Sequence, residues 1–199
     1  MSYRITHDDV LHEVARGNQV AFRELYNLYF QKLFLFAKAI VKTKDGATEV
    51  VDEVLVNIWK QREQLPGIQN LRVYLYTAVK NKAFSYLSAK ANQQIGGAFD
   101  DIDIEIAEEY NAEKQMITGE MLRKIHDAVE ALPPRCKMIF KLVREDNLRY
   151  KEVSEILHIS EKTVDAQMVI AIKKLSQVLR PHFDGFPDFK KTKKNQGAL

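Results

Sequence analysis

The stretch Tyr150–Met168, "YKEVSEILHISEKTVDAQM", decides how the chain is read. Val153, Ile156 and Leu157 share one side of a short helix, and a break follows at His158-Ile159-Ser160. A second apolar stripe then begins with Val164 and Met168 and continues through Ala171, Ile172 and Leu175. Spacings of three and four are those of half-buried helices. Ser160 is a good N-cap, because its hydroxyl can accept a bond from an orphan backbone N–H. Ile159 is placed to plug the angle between the two helices. His158 stands where so sharp a corner favours glycine, which counts against the pattern, although His tolerates a left-handed backbone better than most residues. The outer side of the second helix carries Lys162, Thr163, Ala166, Gln167, Ile170 and Lys173. This is the helix-turn-helix pattern, in which the second helix enters the major groove. Ala166 permits close approach, Thr163 and Gln167 can bond to base edges, and Ile170 can meet a thymine methyl. Lys162 and Lys173 can reach bases or phosphates, with Lys151 and Ser160 flanking them.

The surrounding sequence is helical as well. The 199 residues include only eight Gly and five Pro, so turns are few. Stripes of apolar residues run from Phe22 to Ile40, from Val50 to Trp59, from Leu71 to Leu87 and from Met121 to Leu132. Breaks are expected at Gly17-Asn18, at Lys44-Asp45-Gly46, at Leu65-Pro66-Gly67 and at Pro133-Pro134. Between Asp100 and Glu113 there are seven acids and no base, the composition of a linker rather than a core. Ile102, Ile104 and Ile106 alternate as in a strand, but no second strand is in sight to pair with them. The expected fold is therefore all-α: a helical bundle over residues 1–92, an acidic flexible linker over 93–116, a helix-turn-helix domain over 117–181, and a basic tail over 182–199.

Charge and composition exclude several functions. Thirty Lys or Arg against 27 acids leave a net charge of +3, too little to identify a nucleic-acid partner by itself. The distribution says more: ten bases and six acids lie between Arg135 and Arg180, and six bases and one acid between Lys60 and Lys90. Cys136 stands alone, which excludes an internal disulfide and fits a reducing compartment. No apolar run approaches a membrane span and the N-terminus is polar, so a cytoplasmic protein without direct membrane insertion is expected. No glycine loop has phosphate-binding spacing and the five histidines form no ligand pattern, so neither an enzyme, a small-molecule substrate nor a cofactor is expected.

The helix from Leu71 to Leu87 has a second unusual side, with Thr77, Lys80, Asn81 and Phe84 opposite its apolar stripe. An aromatic ring among a cation, an amide and a hydroxyl is suited to an unstacked nucleotide. A duplex-reading corner tethered to a strand-reading helix suits a protein that melts DNA while anchored upstream.

Four segments, in order, resemble the sigma-70 family of bacterial RNA polymerase sigma factors, in its extracytoplasmic-function (ECF) group. "AFRELYNLYFQKLFLFAKAIVKT" is similar to the start of region two, and "ATEVVDEVLVNIW" to the acidic helix that ends in Trp. "YLYTAVKNKAFSYL" resembles the promoter-melting helix, and "LPPRCKMIFKLVREDNLRYKEVSEILHISEKTVDAQMVIAIKKL" resembles region four throughout. The resemblance implies that Glu49, Asp52, Glu53 and Asn57 bind core RNA polymerase. It implies that the loop Leu65–Asn70, with Arg72, Thr77, Lys80, Asn81 and Phe84, takes the melted −10 element, and that the helix from Glu161 reads the −35 element. An anti-sigma factor is an implied partner, with core polymerase and promoter DNA. The two DNA faces are expected to be masked against each other or by that inhibitor. A conventional helix-turn-helix regulator is the alternative, but it leaves the acidic helix and the Phe84 side without a task. A helical adaptor that binds only protein is a further rival.

Overall fold

The structure is a computed structural model that describes residues 7–91 and 119–180. The acidic linker, the basic tail, the alternating isoleucines and the three expected domain boundaries lie outside the described residues. Eight α-helices are present among them: α1 His7–Ala15, α2 Gln19–Val41, α3 Lys44–Lys60, α4 Leu71–Ala91, α5 Gly119–Glu130, α6 Pro134–Arg144, α7 Tyr150–Leu157 and α8 Glu161–Leu179. A 3-10 helix, Arg62–Gly67, takes the place of the expected loop between α3 and α4.

Local chemistry sets the breaks. Gly17 adopts φ +86°, which ends α1, and Asn18 Oδ1 accepts from the Val20 and Ala21 amides at 3.0 and 3.3 Å to start α2. The next break falls two residues before the expected Lys44-Asp45-Gly46. Lys42 is left-handed at φ 69°, and Thr43 Oγ1 caps α3 by accepting from the Gly46 amide at 3.3 Å. Lys44 to Gly46 are therefore the first helical turn.

Gly46 is also a point of close approach. A Cβ there would lie 2.8 Å from Thr43 Oγ1 and 2.9 Å from the Tyr86 ring of α4. Gly46→Ala is expected to lower stability by about 1–3 kcal/mol through this overpacking. Urea denaturation would measure the loss, and it should shrink in a Tyr86→Ala background.

The main core joins α2, α3 and α4 through Leu33, Phe36, Val50, Leu55, Leu75 and Val79, with the Phe36 and Tyr76 rings 5.1 Å apart. It does not stop at the first half. Ile139 and Leu142 of α6, Leu148, Val153 and Ile156, and Val164 and Met168 of α8 belong to the same buried cluster. A smaller cluster of Ala128, Val129, Leu132, Cys136, Ala171 and Leu175 ties α5 to α6 and α8. The two helical halves are therefore present as expected, but they share one core. Helix α4 is the shared element: it packs on α2 and α3 on one side and on α7 on the other. Among the described residues, no helix is long and apolar enough to cross a membrane.

Candidate nucleic-acid interface

The helix-turn-helix corner forms as its sequence dictates. His158 takes the left-handed conformation, φ 53°, and its amide donates to Ser154 O to close α7. Ser160 Oγ accepts from the Thr163 amide at 3.0 Å, and the two hydroxyls lie 2.8 Å apart. Val164, Met168 and Ala171 are buried, which turns the opposite stripe outward. Lys162, Ala166, Ile170 and Lys173 are exposed along α8, with Lys151 and Ser160 exposed at the corner. Thr163 and Gln167 are half-buried at the edge of the stripe, and the Gln167 carbonyl accepts from the Cys136 thiol at 3.2 Å. Burial raises the pKa of that thiol, which befits a core residue. The eight residues expected at the duplex-reading face are thus exposed or half-buried, and none lies in the core.

Two lysines counted towards that basic surface do not belong to it. Lys137 and Lys141 of α6 are buried and pair with Glu130 and Glu145 at 3.1 and 3.2 Å.

The α4 face departs from expectation. Lys80 is 5% exposed and Phe84 8%, so neither presents an open platform here. Asn81 is exposed and Thr77 half-buried. Lys80 Nζ donates to the Ile156 carbonyl at 2.8 Å, in the last turn of α7. Burial lowers its pKa from the ordinary lysine value. Arg72 Nη2 donates to the carbonyls of Asp146 and Asn147 at 2.7 and 3.1 Å, in the turn after α6. Asn70 caps α4 by accepting from the Val73 amide at 3.1 Å, and it donates through Nδ2 to Glu152 Oε1 at 3.0 Å. The other carboxylate oxygen of Glu152 accepts from the Arg149 amide at 2.8 Å. Burial would raise the pKa of Glu152, but these hydrogen bonds and the nearby Arg72 and Arg149 charges outweigh it, and the net shift is downward.

Beneath this seam the Tyr76 hydroxyl stands close to the Asp146 carboxyl. Neither Tyr76 Oη nor Asp146 Oδ2 makes a hydrogen bond of good geometry, although both are buried. Burial pushes the Asp146 pKa up to about 6, against the opposing pull of the Tyr76 hydroxyl and of Lys141.

On α3, Glu49, Glu53 and Asn57 are spaced by four and form one exposed stripe, with Val56 exposed beside them. Glu53 pairs with Lys82 of α4. Asp52 is half-buried and accepts from the Tyr26 hydroxyl at 3.4 Å, a long bond. Trp59 packs on Phe22 at 4.9 Å and lies under the Arg62 guanidinium at 5.0 Å, so its contacts are internal.

A cavity of about 180 Å³ opens before α4, lined by Ile58, Gln61, Gln64, Leu65, Gly67, Ile68 and Tyr74. Sequence reading placed the loop Leu65–Asn70 here but missed Gln61, Gln64 and Tyr74. Tyr74, an exposed ring one helical turn inside α4, was the available signal. Among the described residues no group of three or more His, Cys, Asp or Glu could hold a metal ion.

Comparison with known proteins agrees with this geometry. Residues 122–175 match the family model described as "Sigma-70, region 4". The ECF RNA polymerase sigma-E factor of Escherichia coli is 24% identical over 188 residues, 91% of this chain and 98% of the relative. The sigma-E factor of Haemophilus influenzae is also 24% identical, over 191 residues, covering 91% and 99%. Among solved structures, the sigma factor RpoE of Bartonella quintana, in complex with the anti-sigma factor NepR, has a TM-score of 0.57 at 20% identity and covers 81% of this chain and 98% of its own. CnrH in complex with the cytosolic domain of CnrY has a TM-score of 0.56 at 19% identity, covering 88% and 98%. Residues 122–175 thus carry a sigma-70 region 4 domain, and over most of its length the chain is similar to ECF RNA polymerase sigma factors.

Proposed function

We propose that the chain starts transcription by joining core RNA polymerase, placing α8 in the major groove of the −35 element, and handing the melted −10 strand to α4. It is not an enzyme: it lends polymerase a choice of site. The observation that carries this reading is the exposed stripe of α8 on a formed helix-turn-helix, in the same chain as the acid-striped α3. Glu49, Glu53 and Asn57 are the core-binding positions, with Asp52 at their edge. The cavity before α4 takes a flipped base, with Tyr74 for stacking and the Gln61 and Gln64 amides for its edges. Asn70, Arg72, Thr77, Lys80, Asn81 and Phe84 track the strand that follows. Residues 1–92 and 117–181 serve as the two working domains. The protein acts in the cytoplasm, where polymerase and promoters are. An anti-sigma factor is a further partner, by analogy with the two complexes named above.

Run-off transcription tests this. Core polymerase with the chain, on a fragment from its own upstream region, is expected to give transcripts from one defined start. Lys162→Ala with Gln167→Ala should reduce them at least tenfold, since each base contact contributes about 1–3 kcal/mol, while core binding stays unchanged. A chain that shifts duplex DNA but gives no transcript would instead be a conventional regulator.

A further inference from the structure

Three polar side chains assigned to the proposed strand, the α4 cap Asn70 and the α4 residues Arg72 and Lys80, are already engaged. Asn70 is held by Glu152, Arg72 by the Asp146 and Asn147 carbonyls, and Lys80 by the Ile156 carbonyl. The chemistry suits the place. Carbonyls at the end of a helix lack intrahelical partners and carry partial negative charge, so a cation there is favourable. Arg72 serves the turn after α6, and Lys80 serves the end of α7. Apolar burial closes the seam around them, because Ile156, Val153 and Leu148 lie in the same core as Leu75 and Val79. The α8 stripe takes no part in it. Lys162, Ala166, Ile170 and Lys173 stay exposed in the same conformation.

We propose that α7 and the α6–α7 turn form a latch on α4, so that the chain by itself is shut to single-stranded DNA and open to duplex DNA. The latch mimics the ligand: backbone carbonyls occupy Arg72 and Lys80, as phosphate oxygens would, and a carboxylate occupies the Asn70 amide. Closing and strand capture compete for the same donors. The faces are therefore not masked against each other symmetrically, since only the α4 face is covered and α7 rather than α8 covers it. This inference rests on the reading of α4 as the strand-binding helix.

The test uses Glu152→Lys, which removes the Asn70 partner and sets a cation beside Arg72, and which lies off the exposed α8 stripe. Nitroxide labels at Lys44→Cys and Gln177→Cys, in a Cys136→Ser background of the full chain, report the distance between the halves. The otherwise unaltered chain is expected to give one narrow distance distribution, and Glu152→Lys a broad one. The DNA probes are a fluorescent single strand, the non-template strand across the mapped start, and the matching upstream duplex. Glu152→Lys should bind the single strand about tenfold more tightly and the duplex unchanged, which also shows that its second half is folded. A broad distribution before the substitution would overturn the latch. A distribution that broadens with no gain in strand binding would overturn the competition. Run-off transcription with core polymerase is read separately. Its failure would fall on the sigma-factor reading, whereas a narrow distribution that Glu152→Lys broadens would still stand without it.

Discussion

Asp146→Asn is expected to stabilise the protein at neutral and higher pH and to flatten its stability between pH 8 and 5. Asp146 is buried, and its pKa is pushed up from 3.8 to about 6 by that burial. A carboxyl whose folded pKa is raised binds its proton more tightly in the folded chain. Its contribution is fully present below pH 4 and is lost as pH rises through about 6. The difference between the two values corresponds to about 3 kcal/mol at most. The charged groups around it are Lys141 of α6, Glu145 just after that helix and Lys32 of α2, with the Tyr76 hydroxyl facing it from α4. Asn keeps the shape and removes the ionisation, so that cost disappears. Urea midpoints at pH 8 and pH 5 would check this: the unaltered chain should be more stable at pH 5 as far as this group is concerned, and the Asn variant should lose that increment. An unchanged pH slope would show that Asp146 is solvated in solution.

Leu75→Ala should have the larger structural effect. Leu75 is wholly buried in α4, in the core that both halves share. Removing its side chain should cost about 2–5 kcal/mol. The single Trp and the single Cys make the reach of that loss visible, because Trp59 reports the first half and Cys136, buried between α6 and α8, reports the second. If the halves melt as one, Leu75→Ala should advance Trp59 fluorescence change and Cys136 thiol labelling together along the urea axis. A shift confined to Trp59 would mean that the seam contributes little to cooperativity. Leu132→Ala, in the smaller cluster, should act mainly on Cys136 labelling.

The helices and the corner were legible because each rests on local chemistry. A hydroxyl at Ser160 caps a helix wherever the rest of the chain lies, and the period of Val164, Met168 and Ala171 fixes which side faces out. The α8 stripe followed from those alone. The α3 residues Glu49, Asp52, Glu53 and Asn57 were implied by the family resemblance alone; Glu49, Glu53 and Asn57 are exposed in the fold, and Asp52 is half-buried. The α4 face was misread for a physical reason. Lys80 and Phe84 sit opposite a good apolar stripe, and periodicity assigns such residues to solvent. Lys80 is held by α7, more than seventy residues away in sequence, through a backbone carbonyl that has no signature in any side chain, and Phe84 is buried in the core that both halves share. Lys137 and Lys141 were miscounted as surface charge for a related reason, since a paired lysine reads in the sequence like a free one. The break before α3 was misplaced because Gly46 suggests a turn, whereas here it makes room for the Tyr86 ring.

The neutral character of the two acceptors that hold Arg72 and Lys80 governs how the protein answers to ionic strength. Arg72 and Lys80 meet uncharged carbonyls across the seam, and beyond these and the Asn70–Glu152 bond the buried contacts that close it are apolar. Added salt weakens the pull of phosphates on those same two cations by counterion competition, but it has little purchase on buried carbonyl bonds. Concentrated electrolyte therefore favours the shut chain twice over, by sparing the latch and by penalising its rival. Dilute electrolyte tilts the contest toward the strand, so the same chain changes its preference with no change in covalent structure.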